Sequence, residues 1–253
     1  MLVEWYKTTA LDMKDAADAL CVLCIGSCEQ HADYLPVGTD GFIGDQIVRE
    51  AAKKAARKVM LLPALQYGYS PHHRAFPGFI TLRQSTLKDL VTDICLSVMQ
   101  NGLKHMLLVN AHGGNQSSLQ AAVNEMGENY GMYPVLVRYW DLITAGIRKI
   151  RETEAGGMGH AGELETSLML HYHPKLVKKE RIKNMPPAQG NAWHNPDMFA
   201  KNPVYIYKPF DRYSPLGNIG QPQFADAEKG KKIAGLIAEK LAQLMDFCTD
   251  NDF

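Results

Sequence analysis

The sequence predicts an α/β fold, a single-domain three-layer α/β/α sandwich with a mostly parallel central sheet. Two short apolar runs, residues 19–25 and 106–109, have the length of buried strands, and each leads into a turn that contains glycine. Helical patterns follow, in the strand–turn–helix order of parallel sheets. Hydrophobic residues occupy 46% of the 253 positions, enough for a sizeable core. We therefore expect one domain over residues 1–253.

Hydrophobic periodicity predicts the elements in order. The predicted strands are residues 19–25, 58–63, 104–109 and 134–139. The predicted helices are residues 11–18, 45–59, 85–101, 116–130, 163–172 and 226–247, with 141–154 as a further candidate. Gly102 matches the glycine that commonly ends a helix. Prolines and tyrosines make residues 175–222 irregular, which predicts packed loops rather than a second core.

One predicted loop, residues 66–79, is unusually long and contains His72 and His73. Loops of this length in compact domains are usually functional or disordered. Four aromatic residues within the loop argue against disorder.

Composition excludes several classes of protein. The 27 basic and 27 acidic residues balance, so no patch for nucleic acid or an anionic membrane is expected. The apolar runs are too short to span a bilayer, and no signal sequence is evident. The five cysteines include one C-x-x-C pair, Cys21 and Cys24, inside a predicted buried strand. This predicts reduced thiols in a cytoplasmic protein.

Three potential metal ligands follow the first predicted strand. Glu29 and His31 lie two positions apart, so in an extended segment their side chains point the same way. Asp40 follows after a loop. Sites in parallel α/β sheets form in loops at the carboxyl ends of strands. Two carboxylates and an imidazole without a thiolate suit Zn, Mn or Fe. Such residues in a loop are usually only solvated, so the prediction needs further ligands.

His112 is the first further ligand. It follows the predicted strand 104–109 beside Gly113 and Gly114, whose backbone permits close approach to a ligand. A lone loop histidine is usually a surface residue, but neighbouring strands would bring His112 to the same sheet edge as residues 29–40. Direct ligation then requires Asp40 to lie within about 6 Å of His112.

A second further ligand comes from Glu163 or Glu165. Both begin a predicted helix, where carboxylates are also favoured by the helix dipole. Two residues that are two positions apart on a helix do not share a face, so at most one is expected to reach the metal.

Three ordered segments resemble the creatininase (creatinine amidohydrolase) family. Family members carry E-x-H-G-x-H-L-P-x-G-T-D, N-G-H-G-G-N and H-A-G-E-x-E-T-S. This chain has EQHADYLPVGTD at 29–40, NAHGGN at 110–115 and HAGELETS at 160–167. Phe-Pro-Gly at 76–78 and GNIG at 217–220 look like further family landmarks.

The resemblance implies a dinuclear site for two divalent ions, Zn, Mn or Fe. By similarity, Asp40 bridges the ions. Glu29 and His112 complete one coordination set, and His31 and a further Glu complete the other. We choose Glu163 as that Glu, with Glu165 as a helix-start group.

The choice of Glu163 follows a departure from the family pattern. In creatinine-hydrolysing members the last ligand lies two positions after the histidine of the second segment, where this chain has Gly114. Members with His-Gly-Gly resemble this chain and take the carboxylate from the later segment. Creatinine-hydrolysing members also have a tryptophan shortly before the third segment, where this chain has GGMG at 156–159. Creatinine itself is therefore not the expected substrate.

The resemblance also assigns roles around the metals. His160 matches a family histidine that looks like the proton shuttle, so the predicted catalytic residues are His160 and Glu163. The predicted substrate-binding residues are His73, Gly113, Gly114 and Asn115. Family members assemble as hexamers, which implies a homohexamer here, and the resemblance also implies a small-molecule substrate.

The predicted function is metal-dependent hydrolysis of a cyclic amide or formamide-type C–N bond by a metal-bound hydroxide. A sugar-ring or peptide hydrolase using the same site is an alternative. A non-catalytic metal-binding protein is another, and it would hold one ion without an open coordination position. A Cys28 nucleophile is disfavoured because the neighbouring Glu29 raises the thiol pKa.

Overall fold

Five parallel strands form one sheet in the computed structural model, which describes residues 1–250 apart from the side chains at positions 15, 249 and 250. The strands are β1 (Leu2–Glu4), β2 (Leu20–Ile25), β3 (Val59–Leu61), β4 (His105–Asn110) and β5 (Val135–Arg138). Their order is β1-β3-β2-β4-β5, and all neighbouring pairs are parallel. The predicted parallel sheet is confirmed, although β1 was missed because three residues carry too little pattern. Residues 251–253 of the predicted domain lie outside the described residues.

Helices cover both faces of the sheet, which confirms the three-layer α/β/α prediction. They are α1 (Thr39–Lys54), α2 (Gln84–Gln100), α3 (Gln116–Tyr130), α4 (Glu163–Tyr172) and α5 (Ala227–Asp250). Helices α1, α4 and α5 pack on one face, and α2 and α3 pack on the other. All six residues of β2 are buried because both faces are covered. This is why the strand is a continuous apolar run rather than an alternating pattern.

Two helix predictions differ from the structure in ways that matter for the site. Helix α1 begins at Thr39 rather than residue 45, so Asp40 lies in its first turn and not in a loop. Gly41 and Gly44 hid this start, because glycine is a poor helix former. The predicted helix at 11–18 is a short 3-10 helix, Asp12–Ala16.

The segments outside the sheet and helices are mostly irregular. The candidate helix at 141–154 is replaced by two 3-10 helices, Tyr139–Ile143 and Ile147–Lys149. Between α4 and α5 the described chain contains only short 3-10 helices, in agreement with the predicted packed loops. No helix within residues 1–250 is long and apolar enough to cross a membrane.

Candidate metal centre

The predicted ligands meet at one edge of the sheet because β2 and β4 are neighbours. Ile25, the last residue of β2, lies opposite Asn110, the last residue of β4. The loop with Glu29 and His31 and the turn with His112 therefore leave the sheet side by side. All three side chains are at least 94% buried. The strand adjacency on which the sequence prediction depended is present.

Asp40 lies between two histidines and contacts both. Its Oδ1 is 3.0 Å from His31 Nε2, and its Oδ2 is 3.1 Å from His112 Nδ1. The second distance is well inside the limit of about 6 Å set for direct ligation. A carboxylate that directs one oxygen to each of two imidazoles has the geometry of a bridging metal ligand.

Glu29 contacts the other side of the same cluster. Its Oε2 lies 3.2 Å from His112 Nδ1, and its Oε1 lies 3.2 Å from His73 Nε2 and 3.6 Å from His160 Nδ1. Neither carboxylate oxygen has an aligned hydrogen bond, although both are buried. Asp40 Oδ2 is in the same state. Burying charged oxygens without aligned hydrogen bonds is costly, whereas a divalent cation would satisfy them.

The two histidines that contact Asp40, both predicted ligands, are oriented as metal ligands usually are. His31 Nδ1 donates to the main-chain oxygen of Glu29 at 3.2 Å, and His112 Nε2 donates to that of Tyr69 at 3.1 Å. A metal-ligating histidine commonly donates its second N–H to a carbonyl, which fixes the tautomer of the ligating nitrogen. The lone pairs of His31 Nε2 and His112 Nδ1 are therefore directed at Asp40 and the cluster.

The predicted ligand Glu163 is not in the cluster, and this choice is corrected to Glu165. Glu165 Oε2 lies 3.9 Å from His31 Nε2. Glu163 instead pairs with Lys229 Nζ at 2.6 Å and accepts hydrogen bonds from the backbone N–H groups of Glu152 and Thr153 at 2.9 and 3.1 Å. Positions two apart on a helix point about 200° apart, so only one could face the cluster. The sequence showed that at most one of the two glutamates reaches the cluster, but not which one.

Three overlapping groups of side chains place potential ligand atoms within 4.8 Å of one another. They are Glu29–His72–His112, Glu29–His31–His160 and His31–Asp40–Glu165. All the donors are carboxylates and imidazoles, a set that suits Zn, Mn or Fe. The residues present therefore fit a divalent metal centre.

Protons and metal ions compete for these ligands. Burial lowers the pKa of His31, but Asp40 and Glu165 outweigh it and raise the pKa to about 9. Burial acts likewise on His112, and Glu29 and Asp40 raise its pKa well above the usual value. Burial raises the pKa of Glu29, but the facing histidines hold it well below its ordinary range. A metal ion must displace the histidine protons, so its affinity falls in acid.

His160 differs from the two ligand histidines. Burial, followed by the neighbouring His31 and His73, holds the pKa of His160 well below its usual value. Its Nε2 donates to the main-chain oxygen of Gln30 at 2.6 Å. The neutral ring therefore presents the Nδ1 lone pair to the cluster.

The four predicted substrate-binding residues divide into two pairs. Gly113 and Gly114 line a cavity of about 1200 Å³ in front of the cluster. His73 and Asn115 do not line it, which corrects their predicted role. His73 lies fully buried behind Glu29, and Asn115 holds two loops together by accepting from Tyr69 N at 2.8 Å and donating to Gly26 O at 3.0 Å.

The sequence analysis missed two residues that line the cavity. His72 stacks on His112, with ring centroids 5.5 Å apart and planes 4° apart. Phe210 lies against His72, His73 and His160 at centroid distances of 5.0, 4.1 and 4.9 Å. The doublet of His72 with His73 was a visible signal for the first. Phe210 comes from the irregular segment, where no pattern pointed to it.

Comparisons with known proteins agree with this geometry. The family model Creatininase, described as creatinine amidohydrolase, matches residues 5–245. The chain is 27% identical over 242 residues to a creatinine amidohydrolase from Pseudomonas putida, covering 90% of this chain and 88% of the relative. It is 28% identical over 234 residues to a mycofactocin precursor peptide peptidase from Mycobacterium ulcerans, covering 88% and 80%. A 3-dehydro-scyllo-inosose hydrolase from Thermotoga maritima is 24% identical over 246 residues, covering 89% and 76%.

Solved structures give the same fold. A creatinine amidohydrolase structure has a TM-score of 0.83 at 25% identity and covers 99% of both chains. A creatininase mutant described as Zn-Zn type has a TM-score of 0.80 at 25% identity, covering 96% of this chain and 97% of that chain.

Proposed function

The chain belongs to the creatininase family of metal-dependent hydrolases that act on C–N bonds, and we propose that it hydrolyses a cyclic amide or formamide-type bond with two divalent metal ions. The position of Asp40, with one oxygen on each of two histidines, carries this proposal. One carboxylate shared between two imidazoles supports a pair of ions rather than one.

The proposed ligands form two sets that share Asp40. Glu29 and His112 complete the first set, and His31 and Glu165 complete the second, with Glu165 taking the role predicted for Glu163. Zn, Mn and Fe remain the candidate ions, since the donors do not separate them. Two bound cations would bring the pKa of a shared water to about neutral and polarise the substrate carbonyl.

His160 is the proposed proton donor to the leaving nitrogen. Its Nδ1 faces Glu29 Oε1 at 3.6 Å, and its Nε2 is occupied by the carbonyl of Gln30. A proton taken up at Nδ1 can therefore be delivered only on the side of the cluster. The backbone of Gly113 and Gly114, at the cavity wall, is proposed to bind the substrate carbonyl oxygen.

Two features support a substrate other than creatinine. A Cβ at Gly114 would lie 2.3 Å from the main-chain oxygen of Tyr69. The backbone therefore leaves no room at this position for the ligand side chain that creatinine-hydrolysing members carry there. The cavity of about 1200 Å³ exceeds the usual ~300–1,000 Å³ of small-molecule sites. The first feature separates this chain from the creatinine-hydrolysing members, and the second favours a larger amide.

A peptide or sugar-ring substrate is the second candidate. The aromatic side chains of Tyr205 and Tyr207 line the cavity and are 89% and 53% exposed. Exposed aromatic rings at a cavity mouth suit an extended chain or a sugar face. The non-catalytic alternative predicts one tightly held ion and no turnover.

The test is to chelate the purified protein, restore Zn, Mn or Fe separately, and count bound metal by elemental analysis. The metal-free protein and each metal-restored protein are then assayed for hydrolysis of formamides, cyclic amides, short peptides and sugar rings. Two ions per chain with metal-dependent amide hydrolysis are expected. Turnover that survives in metal-free protein would refute the proposal, and one ion with no turnover would favour the non-catalytic alternative.

Three further proposals concern the whole molecule. We propose one domain, because a single sheet joins all five strands. We propose a homohexamer by family resemblance, to be measured by light scattering. A cytoplasmic location is proposed because all five cysteines are free thiols.

A further inference from the structure

Gln30, between the proposed ligands Glu29 and His31, makes several polar contacts with side chains and backbone around the site. It is 5% exposed and does not line the cavity. Its side chain contacts a histidine, a backbone N–H and a backbone carbonyl, and its main-chain oxygen contacts a second histidine. Both histidines, His73 and His160, lie within 3.6 Å of Glu29.

The backbone fixes the orientation of the Gln30 amide. The N–H of Ala32 donates to Oε1 at 2.7 Å, and Nε2 donates to the main-chain oxygen of Gly217 at 3.0 Å. A backbone N–H can only donate and a carbonyl oxygen can only accept. Only one of the two amide orientations satisfies both contacts, so the remaining N–H of Nε2 is also fixed in direction.

That remaining N–H determines the protonation of His73. Gln30 Nε2 lies 3.0 Å from His73 Nδ1, which must therefore accept with a lone pair. The ring proton is then on Nε2, the nitrogen that faces Glu29 Oε1 at 3.2 Å. His73 consequently presents to Glu29 Oε1 an N–H rather than a lone pair, which would repel the carboxylate.

The main chain of Gln30 determines the protonation of His160. The carbonyl oxygen lies 2.6 Å from His160 Nε2, which must carry the proton. The Gln30 and His160 Nε2 atoms also approach to 3.4 Å, but both are donors, so this contact is not a hydrogen bond. The lone pair of His160 is therefore on Nδ1, directed at the cluster.

We propose that Gln30 is a positioning residue that sets the tautomers of two histidines, His73 through its side-chain amide and His160 through its main-chain carbonyl. The inference rests on the proposed function, since it explains how His73 directs an N–H at Glu29, which favours the charged carboxylate that a metal needs, and why His160 can exchange a proton on the side of the substrate. Glutamine is the required type because the position needs one acceptor and two donors on one planar group.

The test compares Gln30→Glu and Gln30→Met by ¹⁵N NMR of the histidine rings in the zinc-loaded protein, with signals assigned by replacing His73 and His160 singly. The native protein is expected to show an Nε2–H tautomer at both. A glutamate cannot donate to Nδ1, so in Gln30→Glu the His73 proton moves to Nδ1 or the ring becomes doubly protonated. Gln30→Met removes the hydrogen bonds and gives a mixture at His73. In both variants the tautomer of His160 stays unchanged, because the main-chain carbonyl remains.

Zinc affinity provides a second measurement. Loss of an outer partner of a metal ligand typically lowers affinity about 10- to 100-fold. His73 is such a partner of Glu29, and because both variants disturb the position of its proton, this loss is expected in both. Gln243→Glu is the matched control, since Gln243 is exposed on α5 and should change neither the tautomers nor the affinity.

Three outcomes would overturn the proposal. They are an Nδ1–H tautomer of His73 in the native protein, an unchanged His73 in both variants, and a His160 tautomer that changes together with His73. The proton positions can also be measured in the metal-free protein. A chain that binds none of Zn, Mn and Fe but shows the expected tautomers would refute the proposed function and leave this inference standing.

Discussion

Replacing Glu163 and Glu165 separately by glutamine tests the assignment of the second metal ligand. The two residues have the same chemistry and the same helix turn, but only Glu165 faces His31, at 3.9 Å. Glu165→Gln removes a negative ligand while its amide oxygen can still accept from Ala161 N, now 2.6 Å from the carboxylate. We expect Glu165→Gln to fall from two bound ions to one with little change in the stability of the metal-free protein.

Glu163→Gln should keep both bound ions but destabilise the metal-free protein. Glu163 is fully buried and pairs with Lys229, which is 5% exposed. Breaking one side of a buried ion pair costs about 3–5 kcal/mol, and we expect the lower end because Glu152 still pairs with Lys229 at 2.7 Å. For a chain of this size a loss of about 3 kcal/mol lowers the melting temperature by roughly 6–12 °C.

The assay combines elemental analysis of the loaded variants with thermal unfolding of the metal-free variants. Measuring unfolding without metal separates the ion pair from the stabilisation that a bound ion adds. The double variant should show both effects additively, since the two carboxylates face different partners. The assignment is refuted if Glu163→Gln loses an ion while Glu165→Gln keeps both.

Three further predictions follow from the same geometry. Asp40→Ala should lose both ions in elemental analysis, because Asp40 contacts both histidines, and retention of one tightly bound ion would exclude bridging. Gly114→Ala should destabilise the protein by about 1–3 kcal/mol in thermal unfolding, because its Cβ would lie 2.3 Å from the oxygen of Tyr69, whereas Gly113→Ala has open space and should be tolerated. Turnover should be insensitive to thiol alkylation at neutral pH, because partial burial and then the nearby carboxylates raise the pKa of Cys28; inhibition that Cys28→Ala abolishes would contradict this.

Much of the fold was predictable because its central strands are buried on both faces. β2 is apolar throughout, and β4 has an apolar run at residues 106–109; such runs are visible without knowledge of the partners. Helix α3 coincides with the helix predicted at residues 116–130, and the structure shows that Gly131 ends it in a left-handed conformation at φ 65°. β1 lacked such length, and its position at the sheet edge depends on its pairing with β3.

The site was predictable where chemistry alone limits the choice. Glu29, His31, Asp40 and His112 are residue types that bind metal, and they follow predicted strands. The roles of His73 and Asn115 were not predictable, because side-chain direction depends on tertiary contacts that the sequence does not contain. Asn115 is polar and adjacent to the cavity wall, yet its amide holds the backbone of two loops.

The location of Asp40 shows the same limit most clearly. It reaches the two loops because the first turn of α1 packs directly on the exit of β2, where a Cβ at Gly26 would lie 2.7 Å from the backbone nitrogen of Gly41. Two facing glycines therefore allow a backbone approach that side chains would prevent. The sequence shows both glycines, but only Gly41 lies within α1, where it weakened the helical pattern. Gly41 thus obscured the start of the helix and also lets Asp40 approach the predicted ligands, and only the three-dimensional contact reveals this second role.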